Sequence, residues 1–155
     1  MSRSRYKGAA AKRDSGGFQA VPNAVYESDA FRSLSHYARS LLWDFVFQFR
    51  GDNNGRLLCT WDMMTKRGWR SKETLSNAKA ELLAAQLIAE TRKGARPSRA
   101  SWYGLTWLAL DQIDGMDIDA RAFPRGAYRR LAPAKNAPLS TVGGGQEALV
   151  VRESY

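Results

Sequence analysis

Apolar residues recur three and four positions apart in two stretches of the chain, which is the spacing that one face of an α-helix requires. The stretch after Ser35 carries the clearest pattern: Ala38, Leu41, Leu42, Phe45, Val46 and Phe49. The stretch after Ser71 is shorter: Leu75, Ala78, Leu82 and Leu83. We therefore predict a central core helix after Ser35 and a second amphipathic helix from Ser71 to Gln86.

Helix-start signals divide the region further. A serine or threonine hydroxyl can accept a hydrogen bond from an unpaired N–H of a first helical turn, and an acid there suits the positive end of the helix dipole. Such residues stand at four positions: Ser28, Ser35, Thr60 and Ser71. Gly68 marks the expected end of the helix that begins after Thr60. The stretch from Thr60 to Gln86 therefore predicts a helix, a tight turn and a second helix.

A β-hairpin is predicted after the second helix. The apolar run 87–89 and the aromatic-rich run 102–108 flank a tip that contains Gly94 and Pro97, a pattern typical of a hairpin. We expect a brief strand over residues 56–59 to pair with it. The predicted fold is mainly α with a small antiparallel sheet (α+β). A helix-turn-helix followed by a hairpin is the order of a winged helix-turn-helix.

Changes in composition predict the segment boundaries. We expect a disordered basic arm over residues 1–17, the winged helix-turn-helix domain over 18–110, a charged C-terminal extension over 111–132 and a flexible tail over 133–155. The entry segment from Phe18 to Tyr26 is predicted to be extended, because Pro22 biases its neighbour away from helix. The cations of the arm would follow phosphates or only aid solubility.

Trp43 and Phe47 lie four residues apart, away from the apolar stripe of the core helix. We expect the entry segment to cover them; the alternative is that they form a self-association face.

A second ambiguous group is acidic: Asp111, Asp114, Asp117 and Asp119. Their spacing does not match a calcium loop, so we predict a solvated charged turn.

Net charge narrows the class of partner. The 155-residue chain has a formal net charge of +9, which favours a polyanionic partner, although many basic domains bind nothing specific. No apolar run approaches the roughly 20 residues that a membrane span needs, and the basic N-terminus lacks the apolar core of a signal peptide. We therefore expect no membrane partner, and no small-molecule ligand is evident.

The usual catalytic constellations are missing from the sequence. His36 is the single histidine, and it stands near the start of the core helix, where a structural or surface role is the common one. Cys59 precedes a helix start, which could lower the pKa of its thiol, but no second histidine is present to activate it. We interpret Cys59 as a small core residue and expect no enzyme activity, no cofactor and no metal site.

The segment from Phe18 to Asp111 resembles the winged helix-turn-helix proteins of bacterial plasmids, phages and integrated elements. Six short stretches carry the resemblance: Val21-Pro22-Asn23-Ala24, Leu34-Ser35, Asn53-Asn54-Gly55-Arg56, Ser71-Lys72-Glu73-Thr74, Leu87-Ile88 and Leu105-Thr106-Trp107-Leu108. The resemblance implies a cytoplasmic, nucleoid-associated DNA-binding protein, either a transcriptional regulator or an origin-binding replication protein. The chain departs from that family in carrying Asn77 where such helices often place an arginine.

We accordingly predict sequence-specific binding of double-stranded DNA, with the second helix in the major groove. The expected base readers are Lys72, Thr74, Ser76 and Asn77. Six cations are expected on the phosphate backbone: Arg70, Lys79, Arg92, Lys93, Arg96 and Arg99. The last four surround the hairpin tip, residues 91–110 contain no acid, and no packing argument from the sequence requires four cations there. A homodimer is possible; the alternatives are a protein-interaction module and RNA binding.

Overall fold

The computed structural model describes residues 12–131, and within them the chain is a mixed α+β fold, which confirms the predicted class at that level. Five α-helices, two strands and a terminal 3₁₀ helix follow in order: α1 (Asn23–Tyr26), α2 (Asp29–Arg32), α3 (His36–Gln48), α4 (Trp61–Lys66), α5 (Lys72–Ala84), β1 (Ile88–Arg92), β2 (Trp102–Leu105) and the 3₁₀ helix Ala127–Arg130. Most of the predicted arm and all of the predicted tail lie outside the described residues. No helix in the described part is long and apolar enough to cross a membrane.

All four predicted N-caps are confirmed. Each hydroxyl accepts a hydrogen bond from the backbone N–H three residues on: Ser28 from Phe31 at 3.2 Å, Ser35 from Ala38 at 3.2 Å, Thr60 from Met63 at 3.4 Å and Ser71 from Thr74 at 3.2 Å. Gly68 follows the end of α4 with a φ of +101°, a conformation that a side chain would disfavour. Local hydrogen bonding therefore sets the starts of α2 to α5.

The prediction of an extended entry segment is wrong beyond Pro22. Residues 23–26 form α1, and the carbonyl of Pro22 accepts a hydrogen bond from the N–H of Val25 at 2.9 Å. Pro22 lies at the N-cap of α1, where its missing N–H costs no helical hydrogen bond. The short helix turns Val25 into the core, where its side chain is fully buried.

The core lies between α3, α5 and the sheet. The predicted stripe of α3 is buried except for Phe49, which is half-buried at the C-cap. Three residues of α5 pack toward α3: Leu75, Ala78 and Leu82. On the sheet side, the ring of Phe45 lies 5.6 Å from that of Tyr103. The two long amphipathic helices were thus predicted on their correct faces.

The sheet pairs β1 with β2 in antiparallel register, with Ile88 opposite Leu105 and Glu90 opposite Tyr103. The predicted brief strand is reduced to one bridge, in which Leu57 and Tyr103 exchange both backbone hydrogen bonds at 3.0 and 2.9 Å. The Gln48 side chain extends this edge, because its amide donates to the carbonyl of Leu58 and accepts from the Leu58 N–H. All four residues of β2 are buried.

The segment from residue 111 to 131 covers the outer face of the sheet. A Cβ placed on Gly104 of β2 would lie 3.0 Å from the ring of Phe123. The N–H of Asp117 donates to the carbonyl of Thr91 at 2.8 Å, and Tyr128 is buried in the core. The predicted charged extension is therefore packed against the domain as far as residue 131.

Asn54 joins this segment to the sheet from a fully buried position. Its side-chain oxygen accepts from the Leu105 N–H at 2.7 Å, and its NH₂ group donates to the carbonyls of Leu105 and Ala109 at 3.1 and 2.8 Å. Its own N–H donates to the carboxylate of Asp111 at 2.7 Å. The prediction of a solvated acidic turn is therefore wrong for Asp111, which satisfies a backbone group.

Trp43 and Phe47 are not covered by the entry segment, contrary to the favoured prediction. They are 54% and 59% exposed, and Tyr26 of α1 beside them is 67% exposed. Val21 and Tyr26 line a groove together with Trp43, so the entry segment reaches only the flank of the indole. The short helix α1 therefore does not cover the exposed rings of Trp43 and Phe47 on α3.

Candidate nucleic-acid interface

The outward face of α5 is opposite the side that packs on α3. With about 100° of rotation per residue, the buried side chains of Leu75, Ala78 and Leu82 define one direction, and the opposite direction is occupied by exposed residues. These are Glu73, Ser76, Asn77, Ala80 and Ala84. Apart from Glu73, the outward face is short, polar or small, so its backbone could approach a partner closely.

Three of the four predicted base readers are exposed on α5. Ser76 and Asn77 are on the outward face, while Lys72 lies on the flank that faces α4, with its ammonium 5.7 Å from the ring of Trp61. Thr74, the fourth, is half-buried on the opposite flank, where it lines a depression with Tyr37 and Trp69. By the same rotation, Lys72 and Ser76 lie about 40° apart around the helix axis and Thr74 lies about 160° from both, while Asn77 stands between Ser76 and Thr74 and is nearer to Thr74.

The turn between α4 and α5 is tied to α3 through Asp44. One oxygen of this carboxylate accepts from the indole N–H of Trp69 at 2.7 Å, and the other lies 3.3 Å from Nε of Arg67. The backbone N–H of Trp69 also donates to the carbonyl of Met64 at 3.0 Å. These contacts fix the first turn of α5 relative to the core and leave the adjacent Arg70 exposed.

A second contact fixes the later part of α5. Both carboxylate oxygens of Glu81 accept hydrogen bonds from Ser35, one from its N–H at 2.9 Å and one from its hydroxyl at 2.7 Å. Ser35 is also the N-cap of α3, so the start of α3 and the middle of α5 are joined at one residue. Because α3 is attached both to the turn before α5 and to α5 itself, the outward face of α5 is held in one orientation.

Lys79 lies on the flank of α5 nearest the sheet. Its side chain is half-buried, with the ammonium 5.9 Å from the ring of Tyr103. The methylene stem of a lysine can pack in this way while its charge remains at the surface. The predicted contact of Lys79 with the phosphate backbone stays a prediction.

Two hairpin arginines have structural partners, so packing accounts for two of the four cations for which the sequence offered no packing argument. The guanidinium of Arg92 lies 3.4 Å from the centroid of the Trp102 ring, and its Nε and Nη2 donate to the carbonyl of Ala100 at 3.2 and 2.8 Å. Nη2 of Arg99 pairs with Asp117 at 2.9 Å. Arg92 thus joins the two sides of the hairpin, and Arg99 holds the hairpin to the segment after residue 110.

Asp117 closes this cluster. Its second oxygen accepts from the backbone N–H of Lys93 at 2.6 Å, and that bond, followed by the charge of Arg99, lowers the pKa of its carboxyl. The pKa of Arg92 is also lowered, first by desolvation and then by the like charges of Arg99 and Arg56. Asp117 was predicted to lie in a solvated turn, and its side chain is 46% exposed; its carboxylate is also a counter-charge for the hairpin.

Lys93 and Arg96 are the remaining predicted cations of the tip, and both are exposed. Within residues 12–131, no salt bridge engages either side chain. Of the four hairpin cations predicted to contact DNA phosphates, two therefore have partners within the protein and two have side chains that no salt bridge of the described residues engages.

Three residues of this region were missed by the sequence analysis as parts of a site. Arg56 lies with its guanidinium 5.0 Å from the Trp102 ring, and Asn54 fixes the base of the hairpin from the core. Neither position has a local signal beyond a turn sequence, because the contacts span about 50 residues of chain. Glu73 had a signal, its exposed helical position, but it was considered only as a partner of the helix dipole.

The two residues considered for catalysis stay apart from this surface. Cys59 is half-buried beside the core, and burial raises the pKa of its thiol to about 11, the reverse of activation. His36 is exposed at the first position of α3.

Comparisons with protein-family models, with curated proteins and with solved structures gave no match to this chain.

Proposed function

We propose that this chain is a winged helix-turn-helix protein that binds double-stranded DNA sequence-specifically, with α4 and α5 as the helix-turn-helix and the β1–β2 hairpin as the wing. The bridge between Leu57 and Tyr103 supports this assignment, because it adds a third strand position beside β2, between α3 and α4 in the chain. The role that we assign by resemblance is that of a transcriptional regulator or an origin-binding replication protein of a bacterial mobile element.

One observation carries the proposal. The outward face of α5 is exposed, narrow and made of polar or small side chains, and hydrogen bonds fix the helix and the turn before it: Trp69 of that turn donates to Asp44, and Ser35 donates to Glu81 of α5. A major groove about 12 Å wide accepts a helix of this kind, and the N-terminal residues of a recognition helix contact the base edges. Reading bases needs such fixed geometry, because a small displacement of a side chain loses its hydrogen bonds.

The proposed contacts divide by chemistry. Asn77 can pair with N6 and N7 of adenine, and Lys72 can donate to O6 and N7 of guanine. Arg70, Lys79, Lys93 and Arg96 surround the face and meet phosphates, which position the protein but read no bases. The net charge of +9 supports the same electrostatic attraction.

Selection of bound sequences from a random duplex pool at fixed salt tests the function. We expect a defined site for the wild-type chain, and the loss of one base preference in Asn77→Ala with the other positions kept. Binding without any base preference contradicts sequence-specific recognition. A preference for single-stranded or structured RNA in competition contradicts the duplex itself.

The aromatic ridge of α3 favours a second activity, which is self-association. Tyr26, Trp43 and Phe47 are all more than half exposed, Tyr26 and Trp43 line one groove, and Phe47 follows Trp43 by one helical turn; rings of this kind are enriched in protein interfaces. A second copy docked at the ridge would present two α5 helices to two half-sites, as helix-turn-helix dimers do.

Sedimentation equilibrium over a range of concentrations tests the ridge. We expect dimers of the wild-type chain and weaker association of Trp43→Ser, since the indole is 54% exposed. Tyr37→Ser is the matched control, because Tyr37 is a 64% exposed aromatic on another flank of α3. Monomers at every concentration, or equal weakening by both substitutions, would remove the self-association candidate.

A further inference from the structure

The outward face of α5 carries one carboxylate in its first turn. Glu73 is exposed and stands two positions after the cap residue Ser71. With about 100° of rotation per residue, it lies about 60° from Ser76 and about 40° from Asn77 around the helix axis. Glu73 is therefore at the centre of the face that the proposed function directs into the major groove.

No salt bridge within residues 12–131 engages Glu73. The contrast is with Glu81 on the same helix, whose two oxygens are both occupied by Ser35. The helix dipole favours an acid anywhere in the first turn and does not require this position. An acid at the centre of the DNA-facing surface opposes binding to phosphates, and in a complex with DNA a partner that donates hydrogen bonds to the carboxylate would offset that cost.

The base edges of the major groove offer such donors at few places. An ionised carboxylate only accepts hydrogen bonds, and the floor of the groove presents amino donors at N4 of cytosine and N6 of adenine. It is repelled by N7 and O6 of guanine and by O4 of thymine. Asn77, one turn further along α5, has the donor and acceptor pair that suits adenine. The Glu73 carboxylate, which only accepts, suits the N4 amino group of cytosine.

We propose that Glu73 is a specificity-determining residue that selects a cytosine in the target site by accepting a hydrogen bond from its N4 amino group. This inference rests on the proposed DNA-binding function and names one base pair of its target. The carboxylate lowers affinity for DNA in general and restores it only at sites with cytosine at that position.

The experiment compares the base preferences of four chains selected from the same random duplex pool: wild type, Glu73→Gln, Glu73→Ala and Glu90→Gln. Glu90 is the matched control, because it is an exposed glutamate on β1 and its replacement changes the net charge equally. We expect a cytosine at one position for wild type and Glu90→Gln. In both Glu73 variants, discrimination at that position should fall by at least about fivefold, with tighter binding to random DNA.

The outcomes separate the two proposals. If wild type selects a site and both Glu73 variants select the same site with equal stringency, Glu73 reads no base, and the DNA-binding function stands. If Glu90→Gln relaxes the site as much as Glu73→Gln, the effect is one of net charge, and the cytosine contact is overturned. If the wild-type chain selects no sequence, the proposed function itself fails.

Discussion

Single side chains in this protein connect elements that are distant in sequence. Asn54 hydrogen-bonds to Leu105 and Ala109, and Glu81 hydrogen-bonds to Ser35, 46 residues away. Each of these polar groups is satisfied, so each fixes a distance without the cost of an unpaired buried donor or acceptor. The candidate site depends on them, because they determine where α5 and the hairpin stand relative to the core.

At the residue scale, Cys59 gives a prediction about reactivity. Desolvation by burial raises the pKa of its thiol from 9.0 to about 11, although the charge of Lys79 acts in the opposite direction. At pH 8 the thiolate fraction should therefore be about 100-fold lower than that of an ordinary thiol with the unshifted pKa. The measurement is the rate of alkylation by iodoacetamide in the native state against the rate in denaturant.

The same shift fixes the sign of a pH effect. A pKa that is raised by folding contributes stability that is complete below the unfolded value and is lost as the pH rises through the folded value. For Cys59 this loss of folding stability runs from about pH 9 to about pH 11.

If the native chain were alkylated as fast as the denatured chain, the thiol of Cys59 would be neither buried nor shifted in pKa, and both predictions would fail.

At the scale of elements, the sequence predicts what local interactions determine. Four capping hydroxyls, the glycine after α4 and the apolar stripes of α3 and α5 have signals within a few residues, and the structure confirms them. The packing of Phe123 on Gly104 and the burial of Tyr128 have no such signal, because they depend on how a distant segment returns to the sheet. Arg92 was misinterpreted for the same reason: its partner Trp102 lies across the hairpin.

The ion pair between Asp117 and Arg99 of the hairpin predicts that Asp117 competes with DNA phosphates for Arg99. Asp117→Asn should release Arg99, whose guanidinium lies 2.9 Å from the carboxylate, and raise affinity for duplexes of any sequence by a few-fold. Asp114→Asn is the control, because it removes an equal charge from an exposed residue nearby. Binding titrations of the three chains on one duplex make the comparison. Equal gains in both variants would show that only net charge matters.

At the scale of the whole molecule, two attachments hold one exposed face. α5 is fixed to α3, and the hairpin is fixed to the segment after residue 110, so the distance between the outward face of α5 and the hairpin tip is set by the packed core. The sequence analysis identified a polar helix face and a basic hairpin tip as the two parts of the candidate site. It could not determine which cations of the tip are free, since that depends on contacts across the hairpin and with Asp117.

That division of cations gives the last prediction, which concerns the salt dependence of binding. If Lys93 and Arg96 each neutralise one phosphate, the double variant Lys93→Gln/Arg96→Gln should flatten the plot of log affinity against log salt by about 1.8 per protomer. Its thermal stability should hardly change, because both side chains are exposed.

The matched double variant Arg92→Gln/Arg99→Gln should instead lose stability, since it removes the contacts to Trp102, Ala100 and Asp117. Salt titrations and thermal unfolding of the three chains measure both quantities. A slope that changes only in the Arg92 and Arg99 variant would show that DNA displaces the internal partners, and that the free cations of the tip make no phosphate contact.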